Sequence, residues 1–127
     1  MAPGNTFKKD ERLSLNHRIS MLFDSGTSIR IHPLKVLWRP AAEPLQYPSQ
    51  VLFTVSTRRF KRAVDRNQIK RKLKEAYRLQ KQLLYEELKK QQKQLLICIM
   101  YTGSDPDPLE GLLAGKIAQA IETIIRS

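Results

Sequence analysis

The side chains best suited to chemistry in this chain are cations, and they cluster in one stretch. Residues 58–81 hold 11 of the 23 lysines and arginines, opposed there only by Asp65 and Glu75. Five of these cations recur every three or four residues and form one ridge on a helix: Arg66, Lys70, Lys74, Arg78 and Lys81. Like charges at this spacing repel one another. The ridge therefore favours a phosphate-binding surface over an ordinary solvated helix face.

No side chains have the spacing of a catalytic or metal site. His17 and His32 have no cysteine or carboxylate at metal-ligand spacing. Asp105 and Asp107 flank a proline, and a turn that leads into a helix accounts for both. The sequence contains neither a nucleophile elbow nor a phosphate-binding glycine loop. We therefore predict no catalytic residue, metal ligand, protein-bound cofactor or small-molecule substrate.

Length and composition limit the fold and the partner. A chain of 127 residues, 41% of them apolar, suits one domain, with a flexible polar N-terminus over residues 1–12. The net charge of +11 predicts a polyanionic partner. The N-terminus lacks the apolar segment of a secretory signal, and the longest apolar run, Leu95–Tyr101, is too short to span a bilayer. With Cys98 as a lone core thiol in that run, these features predict a cytoplasmic protein that does not engage membranes.

The first half of the chain predicts one helix and two strands. The segment "LNHRISMLFDSG" is amphipathic, with Asn16 as its N-cap and Gly26 at its end. Residues 28–38 and 50–57 are rich in β-branched and apolar side chains, which is typical of strands. Three prolines within residues 40–48 predict a long loop between them. We expect the two strands to pair as an antiparallel hairpin.

The second half predicts a long helix, a buried strand and a last helix. The long helix begins after Ala63, is capped by Asp65 and runs toward Gln91. Its inward stripe comprises Ile69, Leu73, Ala76, Leu83, Leu84 and Leu88. "QLLICIMY" is the strand, and Asp107 is the N-cap of the last helix, with Glu110 completing a capping box. The order α-β-β-α-β-α predicts an α+β fold in which helices pack on a single sheet.

The basic segment also carries a resemblance to a known family. "AVDRNQIKRKLKEAYR", residues 63–78, closely resembles the motif of the bacterial ribonuclease P protein family. That motif places Arg-Asn-Arg at the start of a basic helix, followed by Ile/Leu-Lys-Arg and Glu-Ala-Phe/Tyr-Arg. Upstream, "ERLSLNHRISMLFDSGTS" is similar to the family's opening Arg-Leu, short helix and Phe-x-x-Gly. The later strand and helix follow in the family's order, so the resemblance covers most of the chain from Glu11 on.

The resemblance implies the RNA-binding subunit of an endoribonuclease whose catalyst is RNA. Its partners would be the ribonuclease P catalytic RNA and precursor tRNA with a 5′ leader. It would assist removal of that leader and lower the Mg²⁺ requirement, the Mg²⁺ being used by the RNA subunit. The family's fold also implies a left-handed β-α-β crossover around the basic helix, against the usual preference.

Together, the basic segment and the resemblance assign two groups of site residues. The RNA-binding group is Arg58, Arg59, Lys61, Arg62, Arg66, Asn67, Gln68, Lys70, Arg71, Lys74 and Arg78. The resemblance also implies a cleft for the single-stranded leader, lined by Ile19, Phe23 and Trp38. Cations and aromatic rings side by side suit single-strand binding that tolerates many sequences.

Three residues depart from the family motif. Gln68 stands where a second arginine is most common, so one ionic contact becomes a hydrogen bond. Lys61 and Arg62 replace a commoner glycine-containing turn. A positive φ in that turn would disfavour both residues.

Other functions fit the composition and remain as alternatives. A small ribosomal or other structural RNA-binding protein would share the charge and the α+β build. A DNA-binding helix is disfavoured because no compact helix-turn-helix pair frames the basic helix. A membrane-surface helix is disfavoured because the basic segment has no bulky apolar face beside its cations.

Overall fold

The computed structural model describes residues 8–127, which build one four-stranded sheet with helices on both faces. Its elements are a 3-10 helix Lys9–Glu11, α1 Asn16–Ser25, β1 Thr27–Ile31, β2 Leu34–Pro40, β3 Ser49–Val55, α2 Ala63–Lys90, β4 Leu95–Tyr101 and α3 Glu110–Arg126. The α+β class and the single helix-packed sheet are therefore confirmed. The strand predicted over residues 28–38 is two strands, because the chain reverses at His32 and Pro33 and β1 pairs back on β2.

The strand order is β1-β2-β4-β3. The expected hairpin between the strand that ends near Trp38 and the one that begins near Gln50 is wrong, since β4 lies between them. β4 is antiparallel to β2 and parallel to β3. Every residue of β4 except Met100 is buried, so the central position suits it. β3, α2 and β4 thus form a parallel β-α-β unit, whose left-handed crossover stays a prediction.

The two faces of the sheet have separate cores. One core lies under α2 and α3 and contains Val36, Trp38 and Phe53 from the strands. The other lies under α1 and contains Leu37 and Cys98. Because side chains alternate along a strand, neighbouring residues of β2 belong to opposite cores.

The long helix α2 buries most of the predicted stripe. Ile69, Leu73, Ala76, Leu84 and Leu88 are buried as predicted. Leu83 is 59% exposed, so its assignment to the stripe is wrong; the adjacent Leu84 takes the inward position. The prediction that the helix reaches Gln91 is confirmed, with Gln91 as its C-cap.

The N-terminal segment joins the fold earlier than the sequence indicates. Residues 1–7 of the expected flexible terminus lie outside the described part of the chain. Glu11, in contrast, is 1% exposed, and its carboxylate accepts hydrogen bonds from Lys81 Nζ at 2.5 Å and from Tyr85 Oη at 2.5 Å. Leu13 N then donates to Val51 O at 3.0 Å on the edge of β3. A buried ion pair therefore holds this segment against α2 and the sheet.

None of the three predicted N-caps holds that position in the structure. Asn16 is the first residue of α1 and Leu15 is its N-cap, without a side-chain cap bond. α3 begins at Glu110 after Leu109, so Asp107 does not cap it, and Glu110, as the first helical residue, does not complete a capping box. The N-cap of α2 is Arg62, so the prediction that Asp65 caps this helix is wrong; Asp65 lies in the first turn, where a carboxylate complements the helix dipole.

Candidate nucleic-acid interface

The exposed cations of the ridge are concentrated in the first three turns of α2. Asn67, Arg71 and Lys74 are exposed and Lys70 is half-exposed, while Ile69 between them is fully buried. Ile69 and Leu73 anchor this part of the helix in the core and turn the opposite face outward. The structure therefore presents four of the predicted RNA-binding side chains on one open surface, which we call the basic ridge: Asn67, Lys70, Arg71 and Lys74.

Arg66 has a structural task at the start of α2. Its Nη1 donates to the carbonyl oxygens of Phe60 at 2.7 Å and Lys61 at 2.9 Å, which ties the preceding loop to the helix. Arg62 is the N-cap with φ −82°, and Gln92 is the one described non-glycine residue with a positive φ. Lys61 and Arg62, which replace the glycine-containing turn of the family, are therefore not strained, because neither has a positive φ, and both side chains are exposed.

Gln68 faces an acidic side chain that the sequence assigned to a different role. Its Nε2 donates to Asp107 Oδ1 at 2.7 Å, and Lys72 donates to the same oxygen. Lys72 Nζ also donates to the Pro108 carbonyl oxygen at 2.8 Å. The hydrogen bond from Lys72 is the main cause that holds the pKa of Asp107 below its usual range. Gln68 and Lys72 therefore fasten the loop before α3 to α2, and only tertiary proximity identifies this cluster.

The far end of the predicted ridge is neutralised. Arg78 Nε donates to Glu75 Oε2 at 3.0 Å, and this pairing lowers the pKa of the Glu75 carboxyl. Lys81 is 2% exposed and paired with Glu11, so its place on the ridge is wrong. The open run of cations ends at Lys74.

A groove lies beside the end of α1, with a volume of about 520 Å³. Phe23, 45% exposed, forms one wall, and Thr54 and Met100 from β3 and β4 contribute to its lining. Arg58 and Arg59 line it where the chain leaves β3 for α2. Arg59 Nη1 donates to the Thr102 carbonyl oxygen at 2.7 Å, whereas the exposed Arg58 side chain makes no hydrogen bond or ion pair within the described part of the chain. Thr54 and Met100 were not identified as groove residues from the sequence, because they are distant from each other and from Phe23 along the chain.

The position of Phe23 depends on how α1 is seated. Ile19 is half-buried against the core under α1, one turn before Phe23. Gly26 follows the helix, and a Cβ there would lie 2.4 Å from Leu22 O and 3.3 Å from Trp38 O. A larger residue would therefore push the end of α1 away from β2. Ile19 supports the groove from below rather than lining its open part.

Trp38 does not belong to the groove. It is 5% exposed and packs in the core under α2 and α3, on the face of the sheet opposite to α1. Its neighbour Leu37 faces α1. Because successive side chains of a strand point to opposite faces, a shift of one residue in the expected alignment reverses the assignment.

The groove places the exposed Phe23 ring and the side chains of Arg58 and Arg59 on one surface. Across residues 8–127, no three histidine, cysteine, aspartate or glutamate side chains lie close enough to hold a metal ion. No helix in the same range has the length and apolarity needed to cross a membrane. An exposed aromatic ring with cations at its border can stack on a base and contact phosphates. Beyond residues 56–62, the cations of the basic ridge are also suited to contact phosphates, which does not depend on base identity.

Known proteins resemble this chain in sequence and in fold. The family model for Ribonuclease P matches residues 7–105. The Ribonuclease P protein component of Porphyromonas gingivalis is 39% identical over 100 residues, which cover 78% of this chain and 73% of that protein. The corresponding protein component of Chlorobaculum tepidum is 41% identical over 73 residues, which cover 55% of this chain and 47% of that protein.

Two solved structures match the fold. The RNase P protein of Staphylococcus aureus superimposes with a TM-score of 0.70 at 16% identity, covering 90% of this chain and 94% of that one. The RNase P protein from Thermotoga maritima gives 0.70 at 20% identity, covering 89% of this chain and 96% of that one. At these identities the likeness concerns the fold.

Proposed function

This chain belongs to the ribonuclease P protein family, the protein components of the endoribonuclease that matures tRNA 5′ ends, and we propose how its surface serves that ribonucleoprotein. The basic ridge docks on the catalytic RNA, and the groove beside Phe23 holds the 5′ leader of precursor tRNA. The observation that carries the proposal is their adjacency. Residues 56–62 lead from the groove directly to the start of α2, so one RNA surface continues into the other.

The ridge contacts RNA through phosphates. Lys70, Arg71 and Lys74 point away from the core and are not used in ion pairs within the described part of the chain. Asn67 adds a neutral donor and acceptor at the same surface. Phosphate contacts do not depend on base identity, which suits a subunit that binds one structured RNA and many different leaders.

The groove holds single-stranded nucleotides of the leader. Phe23 supplies a stacking surface, and base stacking contributes about 1–3 kcal/mol per base. Arg58 is available for a phosphate, and Arg59 is held at the border by its bond to the Thr102 carbonyl oxygen. This combination accepts any base, because every base has a face that can stack.

Catalysis belongs to the RNA subunit, which uses Mg²⁺. Cations of the ridge placed among its phosphates and those of the substrate reduce the repulsion that Mg²⁺ otherwise has to screen. We expect the protein to lower the Mg²⁺ concentration at which cleavage reaches half of its maximum. Unchanged Mg²⁺ dependence would refute this part of the proposal.

The protein is proposed to act in the cytoplasm. The named relatives come from bacteria, in which precursor tRNAs are transcribed in the cytoplasm. The free Cys98 thiol, buried under α1, suits a reducing compartment.

The test is reconstitution with a bacterial ribonuclease P RNA at low Mg²⁺, with cleavage of a precursor tRNA as the readout. The variant Lys70→Ala/Arg71→Ala should lower the cleavage rate at limiting Mg²⁺. It should also reduce the salt dependence of RNA binding by about 0.7 in log–log slope per lost contact. Lys89→Ala/Lys90→Ala removes two exposed cations at the other end of the same helix and is the matched control. Tight RNA binding without stimulation of cleavage would favour a structural RNA-binding protein instead.

A further inference from the structure

A row of side chains crosses the sheet on the face that α1 covers only in part. The strand registers place Thr54 opposite Met100, Met100 opposite Lys35, and Lys35 opposite Arg30. Residues directly opposite one another in neighbouring strands point to the same face. Thr54 and Met100 already line the groove beside Phe23. Lys35 and Arg30 therefore continue the floor of that groove toward the outer strand β1.

This outer part of the face is open. Ile29 and Ile31 of β1 pack against the core under α2 and α3, so Arg30 between them points to the α1 side. Arg30 is exposed and Lys35 is half-exposed. Neither side chain makes a hydrogen bond or an ion pair within residues 8–127.

Two like charges directly opposite one another destabilise an antiparallel pair. No acidic side chain among the described residues pairs with either of them to offset this repulsion. A bound polyanion would remove the repulsion. An edge strand can also carry a charge merely to prevent pairing with other chains, and the experiment has to separate that role from binding.

We propose that Arg30 and Lys35 bind phosphates of the leader nucleotides farthest from the cleavage site. The inference rests on the proposed function, in which the groove holds the leader. The row spans three strand-to-strand steps, or about 14 Å from β3 to β1. Arg30 lies at the end of the row most distant from Arg58 and the basic ridge. A leader that enters beside the ridge and crosses the groove therefore reaches Lys35 and Arg30 last.

The experiment compares two precursor tRNAs in the reconstituted holoenzyme, one with a single-nucleotide leader and one with a long unstructured leader. The variant is Arg30→Gln/Lys35→Gln, and the control is Lys89→Gln/Lys90→Gln. The first variant should weaken binding of the long-leader substrate and reduce its salt dependence by about 1.4 in log–log slope for two lost contacts. Binding of the single-nucleotide substrate should not change. The thermal unfolding midpoint should stay the same or rise, because the repulsion is removed.

Each other outcome overturns the inference in a recognisable way. Unchanged binding of the long-leader substrate would show that Arg30 and Lys35 do not bind the leader and that these charges serve only to prevent the edge strand from pairing with other chains. Equal weakening for both substrates would assign the pair to the catalytic RNA rather than to the leader. If leader length does not affect binding by the unaltered protein, and Phe23→Ala does not either, then the leader groove itself is refuted together with this extension.

Discussion

Replacement of Lys81 by methionine tests whether the buried ion pair holds the N-terminal segment in place. Lys81 is 2% exposed and lies 2.5 Å from the carboxylate of Glu11, which is 1% exposed. Methionine keeps the length and the helix propensity of the side chain but removes the charge. Glu11 would then remain in the interior with Tyr85 as a hydrogen-bond donor and without this cation.

Loss of one partner from a buried pair destabilises a protein by about 3–5 kcal/mol, because the other charge stays buried without compensation. For a chain of 127 residues, each kcal/mol corresponds to about 4 °C in the unfolding midpoint. Lys81→Met should therefore lower the midpoint by roughly 12–20 °C at neutral pH. Glu11→Gln/Lys81→Met should lose less than the sum of the two single variants, since it leaves no buried charge at this site.

The measurement is thermal and urea unfolding of the four proteins in one buffer, with Lys89→Met as an exposed lysine of the same helix. The control should change the midpoint by little, because surface substitutions usually act within about 0.5 kcal/mol. A Lys81→Met midpoint within the range of this control would refute the assignment of Lys81 and Glu11 to a buried pair. Additive losses in the double variant would show that the two side chains do not interact.

Four further predictions follow from single residues. Burial raises the pKa of the Glu11 carboxyl, but its hydrogen bonds outweigh this effect and hold the pKa below the ordinary value. The contribution of Glu11 to stability is therefore complete above about pH 4.3 and is lost at lower pH. Glu11→Gln should make the free energy of unfolding less dependent on pH in the acid range. Trp38→Ala should lower the free energy of unfolding in urea by about 3–5 kcal/mol. Phe23→Ala should leave stability nearly unchanged and weaken leader binding by about 1–3 kcal/mol in a titration. The reverse pattern would refute the placement of Trp38 in the core and of Phe23 in the groove. Asp107→Asn should strengthen RNA binding and steepen its salt dependence, because an anion is removed beside the ridge; weaker binding would contradict this. Burial raises the pKa of Cys98 to about 11, so alkylation at neutral pH should be much slower in the folded protein than in urea, and equal rates would contradict its burial.

The long helix shows how far local pattern carries. Its apolar side chains recur at helical spacing, and the structure buries Ile69 and Leu73 as that spacing requires. Because Lys70 and Lys74 lie on the opposite face of the helix, their exposure to solvent can be predicted without knowing the rest of the fold. The outward direction of Lys70 and Lys74 is therefore a local property, whereas the end of the basic ridge at Lys74 depends on the pairing of Arg78 with Glu75 and of Lys81 with Glu11.

The groove was only partly predictable. The end of α1 follows from local signals, because Gly26 is its C-cap, but the 45% exposure of Phe23 does not, since helical spacing places Phe23 on the same apolar face as the buried Leu22. Thr54 and Met100 lie on two strands that are parallel neighbours only because α2 connects them. The sequence of neither strand indicates that the two strands pair.

The sequence by itself determined a basic helix, the apolar strand β4 and the α+β class, because charge, periodicity and composition act over a few residues. Tertiary structure alone decided that Trp38 faces the core, that Lys81 is buried with Glu11, and that Gln68 turns to Asp107. The face of a strand residue changes with a shift of one position, and the partner of a charged side chain depends on which distant segment packs beside it. Both are consequences of long-range packing, which local spacing does not encode.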